Sequence, residues 1–137
     1  MRLMLQQLLT SYSVQGLSTE PPLPVEGIGV HQGESMLTSQ ITKPFIVYTI
    51  GNSTSENLAE EDYRPERQFF QVYVHDKPAD YSRIDDIVKA IKDTLVGQRS
   101  LEHSVMIIRH LETSRDLDDS TMKTIMRYIR FQAIKEK

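Results

Sequence analysis

The chain has no cysteine and no tryptophan among its 137 residues. Without cysteine it can form no disulfide, no thiol nucleophile and no thiolate metal site. The other signatures of chemistry are missing too: no glycine-rich phosphate loop, no dinucleotide fingerprint, no nucleophile elbow and no His-Glu-x-x-His. His31, His75, His103 and His110 share no metal-ligand spacing, so each is expected to be structural or solvated. Asp116-Leu117-Asp118-Asp119 has the acids of a hard-cation loop but lacks the glycine and distal glutamate of a calcium site, and it reads as a solvated acidic turn. No catalytic residue, metal or cofactor is therefore expected. Long apolar runs are absent as well: the run Phe45 to Ile50 falls far short of the ~20 residues that span a membrane, so no membrane partner is expected and the domain reads as soluble. The opening Met1 to Leu9 is interrupted by Gln6 and Gln7 and no small-residue cleavage site follows, so it reads as a helix and not as a signal peptide.

What is present is ordinary in bulk and uneven in distribution. A hydrophobic fraction of 39% and a charged fraction of 26% suit a globular chain. Its length suits a single domain spanning 1–137, in which one core buries roughly two-thirds of the unfolded surface. The net charge of −3 disfavours nonspecific nucleic-acid binding, but the charge is segregated. Between Gly51 and Glu66, the acids Glu56, Glu60, Glu61, Asp62 and Glu66 face only Arg64, a net −4. Between Glu112 and Thr121, Glu112, Asp116, Asp118 and Asp119 face Arg115, a net −3. From Met122 onward, Lys123, Arg127, Arg130, Lys135 and Lys137 face Glu136, a net +4.

The strongest pattern runs from Arg67 to Gly97: an alternating strand, Arg67 to Val74, then a helix whose Ile84, Ile87, Val88, Ile91 and Leu95 form one apolar stripe. Ser82 and Asp85 approximate a capping box, and Gly97 suits the left-handed position after the last turn. Before this unit, Met4, Leu5, Leu8, Leu9 and Tyr12 predict a helix over about 1–12. The segment 13–27, with Pro21, Pro22 and Pro24, predicts an extended connection, and Ile28 with Val30 a short strand. Lys43 to Ile50 predicts an interior strand with Pro44 at its first position, ended by Gly51 to Ser55. Ser104 to Leu111 predicts a strand apolar on both faces, and Ile125 to Ile134 a long last strand with Ile125, Ile129, Phe131 and Ala133 on one side.

This order predicts an α+β fold: a mostly antiparallel sheet of about four to five strands with helices packed on one face. Phe70, Val72 and Val74 should face the helix, leaving Phe69, Tyr73 and Tyr128 on an incompletely covered second face suited to partner contact. Arg127 and Arg130 should project to opposite faces of the last strand, which argues against a nucleic-acid surface.

Taken together, Gly29-Val30-His31-Gln32-Gly33-Glu34, Lys43 to Tyr48, Phe70 to Asp76, the helix from Tyr81 to Gly97, and Ser114 to Asp119 leading into Arg127-Tyr128-Ile129-Arg130-Phe131 resemble the tail terminator proteins of long-tailed bacteriophages. The resemblance covers residues 28–134 and rests on element order and local pattern. It implies a non-enzymatic virion protein that closes into a homo-hexameric ring at the head-proximal end of the tail tube. Its partners would be further copies of itself, the tail tube protein and head-connector or neck proteins, with DNA passing through the lumen without specific binding. A ring that closes on itself ends a polymer because it offers no further docking face. Interface residues are then expected among Glu56, Glu60, Glu61, Asp62 and Arg64, the sheet-face aromatics Phe69 and Tyr73, and the charged group Arg115, Asp116, Asp118, Asp119, Arg127 and Arg130. The two acidic stretches are expected to be loops that order against neighbours and their basic tails. Rival readings are a neck or head–tail connector adaptor, which needs the same ring interfaces, and a nucleic-acid-binding adaptor using the basic tail. An enzyme would have only His110 and the acids of 112–121 to work with.

Overall fold

A computed structural model describes residues 2–17, 27–32, 43–55, 66–78, 81–100, 105–120 and 123–135. In chain order the elements are α1 (Arg2–Leu9), α2 (Tyr12–Gln15), β1 (Gly29–Gln32), β2 (Phe45–Ser55), β3 (Glu66–Asp76), α3 (Tyr81–Leu95), β4 (Val105–Thr113), β5 (Leu117–Asp119) and β6 (Thr124–Lys135). One sheet runs β1-β2-β3-β6-β4, with β5 added to the start of β6. Every pairing is antiparallel except β1 with β2. The fold is α+β, as the pattern predicts, with six strands where about four to five were expected. The additional one, β5, lies in the acidic stretch expected to be a loop: Leu117, Asp118 and Asp119 pair with Met126, Ile125 and Thr124.

The central strand pair β3–β6 holds its register over eleven residues, from Glu66 opposite Lys135 to Asp76 opposite Ile125. Strict alternation makes this possible, since a one-residue slip would turn Phe70, Val72 and Val74 out of the core. Those three side chains are buried with Ile125, Ile129, Phe131 and Ala133 of β6, and the rings of Phe70 and Phe131 stack at 5.1 Å. On the same face lie Ile84, Ile87, Val88, Ile91 and Leu95 of α3 and Met4, Leu5 and Leu9 of α1, so the helices share one side of the sheet. The buried face of α3 is wider than the predicted stripe. Arg83, Ala90 and Thr94 are also buried, in line with Ile87 at helical spacing, because α3 is covered by α2 on one flank and the sheet on the other.

Several local expectations are corrected. The first helix stops at Leu9, and Tyr12–Gln15 forms a separate helical turn where an extended chain was expected from residue 13. Ser11 makes the joint: its Oγ donates to the Leu8 carbonyl at 2.6 Å, and its own carbonyl accepts from Val14 and Gln15. The turn is held because Val14 is fully buried and the Gln15 amide bonds both backbone groups of Ile28. The proline-rich part, 18–26, lies outside the described residues. Strand β2 does not end at Gly51 but runs on to Ser55 through a bulge between Ile50 and Ser53. Gly51 sits in that bulge, where a Cβ would stand 3.3 Å from the Phe69 carbonyl oxygen. The Lys43–Pro44 peptide is cis and Pro44 immediately precedes the strand. Ser82 lies inside the first turn of α3, one residue past its start at Tyr81, and Asp85 bonds Arg127. Gly97 takes φ +84° as predicted, and its N–H donates to Ile108 of β4. Among the described residues, no helix is long and apolar enough to cross a membrane.

Candidate subunit interface

The sheet has two unlike faces, and the predicted interface residues divide between them. On the face away from the helices, Phe69, Gln71, Tyr73 and His75 of β3 stand beside Gln132, Arg130, Tyr128 and Met126 of β6. Phe69, Tyr73 and Tyr128 are half-buried, less open than the sequence suggested. Tyr73 packs on a small second cluster made by Phe45 and Val47, its ring lies 6.2 Å from that of Tyr128, and its hydroxyl donates to the Gln71 side chain. This side of the sheet thus carries its own patch of apolar packing at the β2–β3 end.

The charged group gathers where β6 begins. Arg127 projects to the helix side, as alternation predicts: its guanidinium bonds Asp85 of α3, donates through Nε to the Ser114 carbonyl at 3.2 Å and lies 3.8 Å from Asp116. Arg130 projects to the other side and meets Glu112 of β4 at 3.2 Å. Ser114 ties the crossing together, exchanging backbone N–H and side-chain Oγ contacts with Tyr128. Arg127 and Arg130 are therefore paired within the chain to acids of the 112–119 stretch, where pairing with neighbouring copies was expected. Arg115, Asp116 and Asp118 are exposed and Asp119 is half-buried in β5. A hollow of about 450 Å³ between α3 and the end of β4 is lined by Lys89, Lys92, Asp93, Thr113 and Arg127. Glu56, Glu60, Glu61, Asp62 and Arg64 lie outside the described residues.

Sequence reasoning missed two features at this end of the sheet. Asp76, the last residue of β3, and Arg83, in the first turn of α3, form a buried pair with Arg83 Nε 2.7 Å from Oδ2, and Asp76 Oδ1 also accepts from the Lys77 N–H. The available signal was the place of Arg83, four residues before Ile87 and therefore on the apolar face. The second is His75, 1% exposed, whose ring stacks on Phe45 at 4.6 Å and whose Nδ1 lies 2.8 Å from Thr124 Oγ1. Burial pushes its pKa below the ordinary imidazole value, and the Asp119 carboxylate pulls it partly back.

The outer strand β4 was expected to be apolar on both faces, and it is an edge strand. Its two register shifts, between Val105 and Ile107 and between His110 and Glu112, fall at Met106 and Leu111, and both side chains are exposed. The segment after α3 covers part of the edge, through Ser100 with Val105 and Gly97 and Gln98 with Ile108. Bulges of this kind keep an edge from pairing indiscriminately and re-aim the side chains they carry.

No protein-family model matches the chain, and no curated protein matches it by sequence. Among solved structures it is similar to a chain from the virion of a native gene transfer agent (GTA) particle, with a TM-score of 0.60 at 13% identity, over 80% of this chain and 79% of that one. At that identity, what the two share is a fold.

Proposed function

We propose that this chain is a structural protein of a phage-type virion, without enzymatic activity, that forms a ring at the head-proximal end of the tail tube. The observation that carries this reading is the shared fold with a chain of the GTA virion over four-fifths of both lengths. The resemblance of residues 28–134 to tail terminators gives the finer role: a homo-hexamer that ends tube growth and presents the docking surface for the head. A single rigid sheet suits this task. Its helices cover one face, half-buried aromatics stand on the other, and Arg127 and Arg130 of β6 pair with acids on either side.

The test is assembly in vitro. The purified chain, alone and mixed with tail tubes, is measured by size exclusion with multi-angle light scattering and by electron microscopy of tube ends. A ring formed alone or on tube ends supports the reading, whereas a monomer that leaves tube ends bare and growing overturns it. A ring that binds head connectors and ignores tube ends would favour the neck adaptor.

A further inference from the structure

We propose that His75 is a proton-sensitive latch: its neutral ring, wedged between Phe45 and Thr124, seats the β5–β6 hairpin on the sheet, and protonation releases that corner. The inference does not depend on the virion reading. It rests on how completely the ring is enclosed and how incompletely it is bonded. His75 is 1% exposed; Nδ1 has Thr124 Oγ1 at 2.8 Å, and Nε2 is buried with no hydrogen-bond partner among the described residues. A neutral imidazole tolerates this, because Nδ1–H donates to the threonine hydroxyl and Nε2 is left as a bare acceptor. An imidazolium carries N–H on both nitrogens, and the second would be a buried charged donor with no acceptor among the described residues. The ring must leave its place to accept the second proton.

The groups around it offer little compensation. From β2 it faces the apolar ring of Phe45, nearly parallel at 8°. From β1, His31 meets Phe45 in a T-shaped arrangement, with ring centroids 6.1 Å apart. From β6 it faces Thr124 and, directly across the ladder, Met126. From β5, the charge of Asp119 favours the cation. On its own strand, Tyr73 shares its face, whereas Asp76 lies on the opposite face and is bound to Arg83 of α3. The turn between β5 and β6 adds the exposed cation Lys123, in a left-handed conformation at φ 55°.

What moves follows from the topology. Strand β5 has three residues and pairs only with the first three residues of β6, and the Thr124 bond to His75 ties that start to the interior strand β3. Helix α3 and the main core lie on the far side of the sheet, and of the hairpin residues Ile125 packs into that core. Opening is therefore local to the hairpin that carries Asp118 and Asp119.

Hydrogen exchange of the full chain, corrected for the intrinsic pH dependence of amide exchange, tests this directly. Hairpin peptides covering 117–126 should open more at about pH 5.5 than at pH 7.5, by up to about tenfold, since each pH unit below the ordinary histidine pKa favours the proton-accepting open state by at most about tenfold. Peptides of α3 should not change, and His75→Phe, which keeps an aromatic ring against Phe45, should abolish the pH dependence. Equal hairpin protection at both pH values, or the same loss in His75→Phe, would overturn the proposal. Should the variant fail to fold, an NMR titration of His75 in the unmodified protein decides: a pKa below 6.5 with Thr124 shifting in step supports it, and a pKa at or above 6.5 overturns it.

Discussion

The guanidinium of Arg83 grips the carboxylate of Asp76 with Nε 2.7 Å from Oδ2, and both side chains are withdrawn from water. The pair joins the last residue of β3 to the first turn of α3, so it fixes the angle at which the principal helix leaves the sheet. Breaking such a pair leaves an uncompensated buried charge, which costs about 3–5 kcal/mol, whereas replacing both partners by apolar residues is often close to neutral. Arg83→Ala and Asp76→Ala should each lower the urea midpoint strongly, and Asp76→Leu with Arg83→Met should recover most of the loss. Additive losses in the double variant would show that the pair is not the joint described.

Ile91 is fully buried in the middle of the α3 face. Ile91→Asp puts a charge among buried apolar side chains that can offer it nothing, at a cost comparable to the whole stability of a small domain. Circular dichroism should find no cooperative thermal transition in this variant.

Gly97 takes φ +84°, and a Cβ there meets nothing within 4 Å. The cost of Gly97→Ala is therefore backbone strain alone, about 1–2 kcal/mol, and Gly97→Asn should cost less because asparagine tolerates the left-handed region. Denaturant unfolding of the two variants checks the order.

Arg130 and Glu112 are each nearly half exposed where they pair. An exposed pair contributes about 0–1 kcal/mol, so Arg130→Ala and Glu112→Ala should leave the melting temperature almost unchanged. If the face they occupy meets a neighbouring copy, the same variants should weaken ring formation and reduce its salt dependence. Light scattering at two ionic strengths separates the two effects.

Legibility in the sequence followed the physics of each signal. The α3 stripe and the alternation of β3 and β6 were readable because periodicity reports burial directly, and the prediction that Phe70, Val72 and Val74 face the helix holds. Gly97 was readable because a left-handed residue after a helix has few substitutes. Strand β5 was not, since Leu117-Asp118-Asp119 is too short and too acidic to carry a pattern, and only the ladder of Thr124 to Met126 makes it a strand. Nor could sequence pair Arg127 with Asp85 and Asp116, or Arg83 with Asp76, because these contacts cross elements whose arrangement is tertiary. At the candidate interface, alternation placed Arg127 and Arg130 on opposite faces, but charge counts gave no warning that their partners lie in the same chain.

The central claim, a ring that ends the tail tube, is tested most directly by electron microscopy of particles assembled without this protein. The account predicts tubes that overrun the normal length and carry no heads. Tails of normal length joined to full heads would contradict it.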